Sequence, residues 1–226
     1  MKQIIINLPV FGSFARRIQS TLIPSSKSFP GSENYWKRRY ERGKNSGAGS
    51  YNNLANFKAE VLNAFVANNE ITSIIEYGCG DGNQLSLAKY PKYTGFDVSP
   101  KAISMCTKRF AKDKTKSFKH VAEYQDETAD LTLSLDVIYH LVEDDVFSDY
   151  MTRLFDSSNK FVVIYSSDTD QNTEDTASHV RHRQFSRWIS VNKKNWKLIK
   201  HIPNKYPYSG NHKNSSFADF YIYAKI

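Results

Sequence analysis

Leu54, Phe57, Val61, Leu62, Phe65 and Val66 recur at three- and four-residue spacing until the polar pair Asn68 and Asn69, the period of a helix with one buried stripe. The apolar run Ile71 to Tyr77 follows and ends in glycines, which predicts a buried strand entering a turn. The alternation then repeats. Tyr93 to Val98 reads as a strand, Ser99 as an N-cap with Pro100 at the first helical position, and Ile103, Cys106 and Phe110 as one helix face. Leu131 to Leu135 is another strand, Val146, Phe147, Tyr150, Met151, Leu154 and Phe155 line a helix, and Lys160 to Ser166 is a further strand. Strands alternating with helices predict an α/β doubly wound sheet, parallel and covered on both faces.

The two ends depart from this rhythm. Phe185, Trp188 and Ile189 suggest a short helix, after which Trp196 to Ile202 and Phe217 to Lys225 are strand-like with no helix between them. Such neighbours pair as an antiparallel ribbon. From Pro24 to Tyr51 the chain is rich in Ser, Gly, Asn and aromatic residues, with Gly43, Gly47 and Gly49 marking turns. We divide the chain into an N-terminal extension (1–34) and one domain (35–226) whose first part (35–52) precedes the core.

The 226 residues include 40% apolar and 24% charged residues, the balance of a globular protein and not of a disordered one. Cys79 and Cys106 are the two cysteines; they lack the spacing of a zinc site and make no disulfide framework, which fits a reducing, cytoplasmic compartment. The apolar stretch from Ile4 to Ala15 is interrupted by Asn7, Pro9 and Gly12 and followed by Arg16 and Arg17, too short to span a bilayer. Residues 4–23 could instead touch a membrane surface. The net charge of +8 favours anionic partners without choosing among them.

The sharpest chemical signal is Ile74 to Gly82, IIEYGCGDG, directly after a predicted strand. Glycines there let main-chain N–H groups approach a ligand that a Cβ would exclude. Nineteen residues beyond Gly78, at the end of the next strand, Asp97 can accept the hydroxyls of a ribose. The dinucleotide pattern GxGxxG would require glycine at position 83, which is Asn83. The pattern is GxGxG with Glu76 two residues upstream, and an acid there suits a ligand with an ammonium group and a sulfonium better than a pyrophosphate.

EYGCGDG, GFDVSPKAI and ADLTLSLDVIYHL, in this order, resemble the first, second and fourth-strand motifs of class I S-adenosylmethionine-dependent methyltransferases, small-molecule type. The resemblance spans about residues 35 to 226 and implies a seven-stranded Rossmann-like sheet closed by an antiparallel strand pair. It implies S-adenosylmethionine as cofactor, with Glu76 near the methionine moiety, Asp97 on the ribose, and Gly78, Cys79, Gly80, Val98 and Leu135 lining the site. Glu123 and Tyr124 fall where the family contacts adenine, or on a surface turn. YWKRRYERGKNSGAGS resembles the family's lid, with Trp36, Arg39 and Tyr40 over the cofactor, unless these aromatics pack against the helix from Leu54 to Val66.

Asp136 and His140 follow the fourth strand four residues apart and would share one face of a helix. His140 is the candidate base, its ordinary pKa of about 6.5 suiting proton acceptance, and Asp136 the residue that orients it or meets the sulfonium end of the cofactor; both could equally be helix-start residues. His179, Arg181, His182 and Arg183 form a candidate substrate site for an anionic or polyhydroxylated acceptor, or a solvated helix start balanced by Asp168, Asp170, Glu174 and Asp175. A metal on His179 and His182 lacks a third ligand at fixed spacing. The resemblance implies methyl transfer to oxygen, less readily nitrogen, of a small molecule or sugar or polysaccharide precursor. A nucleic-acid methyltransferase is disfavoured because LDVIYHL carries no proline where amino-methylating enzymes often place two; a non-catalytic S-adenosylmethionine-binding protein is the other rival.

Overall fold

The computed structural model describes residues 29–226; the membrane-surface reading of residues 4–23 lies outside them. Helix α1 (Ser32–Glu41) and helix α2 (Asn52–Asn68) precede strand β1 (Ser73–Tyr77). Then come β2 (Lys92–Asp97), α3 (Pro100–Arg109), β3 (Lys116–His120), β4 (Ala129–Leu135), α4 (Asp144–Asp156), β5 (Ser158–Ser166), α5 (Phe185–Asn192), β6 (Trp196–Ile202) and β7 (Asp219–Lys225). The strands form one seven-stranded sheet in the order β3-β2-β1-β4-β5-β7-β6. Strands β1 to β5 are parallel, and β7 runs antiparallel to both β5 and β6.

Burial of the sheet on both faces explains why its central strands are apolar throughout and do not alternate. Ile74, Leu131 and Val163 pack on one side with Phe57, Leu62 and Val66 of α2. Ile75, Val162 and Ile164 pack on the other with Phe147, Met151 and Leu154 of α4. Ser99 caps α3 as its sequence predicts, its hydroxyl accepting the Ala102 N–H at 3.3 Å with Pro100 in the first turn. Among the described residues no helix is long and apolar enough to cross a membrane.

The connection from β1 to β2 departs from simple winding. It contains only a 3₁₀ turn, Leu85–Leu87, and α2 occupies the face that a crossover helix would cover. Asn63 of α2 donates to the Leu87 carbonyl at 3.0 Å and accepts the Lys89 N–H at 2.7 Å, and Gln84 donates to the Ala55 carbonyl at 3.1 Å. The glycine loop is thereby held against a helix that precedes it in the chain.

Candidate active site

Ligands of open α/β sheets bind beyond the carboxyl ends of the strands, where the strand order reverses. Here the reversal lies between β1 and β4, and a cleft opens there between the glycine loop, the ends of β2 and β4, and α1. Gly78 and Gly80 hold φ of 85° and 60°. Both are also crowded: a Cβ would lie 2.5 Å from Val137 Cγ2 at Gly78 and 2.3 Å from Ser46 Oγ at Gly80. The loop is tied back to β2 by the Gly78 and Cys79 N–H groups, which donate to the Phe96 carbonyl at 2.7 and 3.1 Å.

Two carboxylates stand at this loop. Asp97 accepts the Gly80 N–H at 3.0 Å and the Ser99 N–H at 2.8 Å. Burial pushes its pKa up to about 6, against the lowering effect of those two bonds. Glu76 accepts the Tyr93 hydroxyl at 2.6 Å; its burial pushes the pKa up to about 7, opposed by that hydrogen bond and by the charge of Lys58. Among the described residues the charged groups lining the cleft are Glu33, Glu76, Asp81, Asp97 and Asp136 against Lys58, an excess of acids in a chain of net charge +8. Buried charges need a compensating partner, so this pocket fits a cation with ribose hydroxyls and disfavours a pyrophosphate.

Trp36 and Tyr40 of α1 line the cleft, and α1 packs toward α3. The lid segment is pinned to the glycine loop by a reciprocal pair: the Ser46 N–H donates to Asp81 at 2.9 Å while the Asp81 N–H donates to the Ser46 hydroxyl at 3.0 Å. Tyr40 and Tyr51 complete this junction, on Ser46 and Asp81 at 2.9 and 2.8 Å respectively.

Asp136 and His140 both line the cleft, but not through a shared helix face. The Asp136 N–H continues the ladder by donating to the Tyr165 carbonyl at 2.9 Å, and the residue then turns at φ 60°. Only a 3₁₀ turn, Ile138–His140, follows. Asp136 is paired with Lys58 Nζ at 2.5 Å and accepts the Tyr139 hydroxyl at 2.7 Å, so its partners are Lys58 and Tyr139, not His140. His140 Nδ1 lies 2.9 Å from the His179 carbonyl. A carbonyl only accepts, so Nδ1 carries the hydrogen and Nε2 of the neutral ring is left as a proton acceptor. Burial depresses the His140 pKa to about 4, below the ordinary value expected from sequence.

Of the other residues singled out from sequence, Glu76, Gly78, Cys79, Gly80, Asp97, Val98 and Leu135 line the cleft, whereas Arg39, Glu123 and Tyr124 do not. Arg39 Nε donates to the Asn45 carbonyl at 2.7 Å, with its guanidinium 5.5 Å from the Trp36 ring. Glu123 caps its own turn by accepting the His120 N–H at 2.7 Å, and Tyr124 packs edge-on against Tyr77 and Phe96. Arg181 and Arg183 are engaged structurally. Arg183 reaches Asp144 at 2.5 Å and donates to the Val142 carbonyl at 2.7 Å, while Arg181 donates to that same carbonyl at 2.9 Å. They clamp the loop between β4 and α4, outside the cleft. His182 bonds Ser167 at 2.7 Å, and His179 stacks between Tyr35 and His140. Sequence reasoning passed over Lys58, Ser46 and Tyr150, which line the cleft. Lys58 had a visible signal: a cation on the apolar stripe between Leu54 and Leu62.

Residues 51–206 match the family described as Methyltransferase domain. The match spans well over half of the chain, which belongs to this family, and the fold is that of class I S-adenosylmethionine-dependent methyltransferases. No curated protein sequence matches the chain. Solved structures share the fold at low identity. Magnesium protoporphyrin IX methyltransferase from Synechocystis PCC 6803 is 12% identical, with 86% of this chain and 98% of that one covered and a TM-score of 0.61. The N-methyltransferase NodS from Bradyrhizobium japonicum WM9 is 14% identical, with 84% and 98% covered and a TM-score of 0.61. The methyltransferase domain of bacterial CtHen1 is 17% identical, with 74% and 96% covered and a TM-score of 0.58.

Proposed function

We propose that the protein transfers a methyl group from S-adenosylmethionine to a hydroxyl oxygen of a small molecule or sugar. Asp97 would hold the ribose hydroxyls, the glycine loop and Glu76 the methionine end, and Val98 and Val121 the adenine edge, with Trp36 and Tyr40 closing over them. Bound there, the cofactor supplies an electrophilic methyl on a positively charged sulfur, which an acceptor oxygen displaces in line to leave a neutral thioether. The chain's own work is to align that oxygen, exclude water and accept its proton. Alignment alone can supply much of the rate.

The observation that carries the oxygen reading is the bond from His140 Nδ1 to the His179 carbonyl, 2.9 Å. It fixes the tautomer, and the depressed pKa keeps the ring unprotonated at neutrality. Nε2 is therefore unprotonated and can take the hydroxyl proton as the new C–O bond forms, as a weaker base than an ordinary imidazole. Asp136, neutralised by Lys58 and bonded to Tyr139, shapes the floor beside it.

The test is to incubate the protein and methyl-labelled S-adenosylmethionine with a metabolite extract and find the labelled product by mass spectrometry. A methyl ether whose formation falls about a hundredfold or more in His140→Ala, with cofactor affinity kept, supports the reading. Label on nitrogen, or an undiminished variant, refutes it. Binding without any labelled product favours the non-catalytic rival, and label in RNA favours methylation of nucleic acid.

A further inference from the structure

A second cleft lies beside the first on the adjoining face of α1, lined by Tyr35, Arg38, Arg39, Arg42, Lys44 and Ser178 among others. Among the described residues it is lined by four cations and no acid. Arg38 and Arg42 are one helical turn apart, and the Lys44 N–H folds back onto the Arg39 carbonyl at 3.2 Å, gathering the charges at one helix end. Among the described residues none of the four has a carboxylate within ion-pair distance; the acid at the start of α1, Glu33, is taken by Lys37.

An aromatic partition joins this cleft to the candidate active site. His179 stacks on Tyr35 at 4.4 Å and on His140 at 5.4 Å, and Trp36 meets His140 edge-on at 4.9 Å. Two stacked rings, Tyr35 and His179, therefore stand between a ligand held by the arginines and His140. Arg181 and Arg183 are spent on carbonyls and Asp144 and Arg39 Nε on the Asn45 carbonyl, which leaves Arg38, Arg42 and Lys44 at the end of α1 as the cations this cleft offers an acceptor. We propose that this cleft binds a phosphate or diphosphate group of the methyl acceptor, an inference that rests on the methyltransferase reading. Guanidinium forks match phosphate oxygens in pairs. A long polyanion fits less well, because the adjoining segment from β5 to α5 carries Asp168, Asp170, Glu174 and Asp175.

The test titrates inorganic pyrophosphate into the full chain by calorimetry, with S-adenosylmethionine titrated into the same preparations. Arg38 and Arg42 are exposed, so Arg38→Ala with Arg42→Ala should fold, and unchanged S-adenosylmethionine affinity verifies it. Pyrophosphate binding to the wild type that weakens about tenfold or more in the double variant supports the proposal. No binding of pyrophosphate, or equal binding to the variant, overturns it. So does binding of a short single-stranded RNA or of phosphatidylglycerol vesicles through Arg38 and Arg42 when pyrophosphate does not bind. Failure of S-adenosylmethionine to bind the wild type defeats the underlying reading and the acceptor assignment with it, whatever pyrophosphate does.

Discussion

Lys58 on α2 and Asp136 after β4 form a buried ion pair, Nζ to Oδ2 at 2.5 Å, across the floor of the cleft. The Lys58 side chain is 1% exposed and lies 5.1 Å from the Tyr165 ring centre, so Lys58 cannot exchange Asp136 for water, while Asp136 is 13% exposed toward the cleft. Removing one charge strands the other. Lys58→Met should lower unfolding free energy by about 3–5 kcal/mol, and Lys58→Met with Asp136→Asn should recover a large part of it. Urea unfolding of the two single variants and the double variant checks this; additive losses would mean that the pair is not coupled.

Glu76 carries a pH signature. Its folded pKa of about 7 exceeds the ordinary 4.5, so between these values the folded chain binds more protons than the unfolded one. Stability contributed by this group is present below pH 4.5 and is lost as pH rises through about 7, an effect on the order of 3 kcal/mol. Asp97, raised from 3.8 to about 6, acts with the same sign. Glu76→Gln should therefore gain stability over the wild type at pH 8 more than at pH 5, while losing affinity for S-adenosylmethionine. Urea midpoints at both pH values decide the matter; equal differences at the two would show that Glu76 titrates normally.

His140 should stay neutral, protonated at Nδ1, across the range from pH 5 to 8, because burial holds its pKa at about 4. Imidazole nitrogen NMR shifts report the tautomer directly. Protonation of His140 near pH 6.5 would remove the premise that its Nε2 is free at neutrality.

Arg183→Ala separates two roles for that arginine. Its bonds to the Leu141 and Val142 carbonyls and to Asp144 predict a lower melting temperature with S-adenosylmethionine affinity kept. Thermal unfolding measured beside cofactor titration checks this, and an undisturbed melting temperature would show that the clamp carries no weight.

What the sequence disclosed and what it withheld follow from the range of the interactions. The glycine loop was legible because Gly78 and Gly80 occupy a backbone conformation and a closeness of approach that other residues resist. Asp97 and the Ser99–Pro100 helix start were legible because their places are fixed by distance from a strand end. Six of the seven strands followed from apolar runs, whereas β3, Lys116–His120, is only partly buried and carries no such run, and the insertion of β7 between β5 and β6 is something local pattern cannot express. Lys58 and Asp136 are far apart in sequence, so no spacing rule joins them. The helical reading of Asp136 and His140 failed because Asp tolerates a positive φ. Arg181 and Arg183 looked like free cations because nothing local reveals which carbonyls the fold will bring to them.

The central claim is that a cationic, ribose-bearing cofactor sits on Asp97 and the glycine loop. Calorimetric titration of S-adenosylmethionine into the wild type and Asp97→Ala tests it most directly. One molecule should bind per chain, with affinity reduced about ten- to a hundredfold in the variant as the charged hydrogen bonds to the ribose are lost. Equal affinity in the two proteins, or no binding to the wild type, would contradict the account.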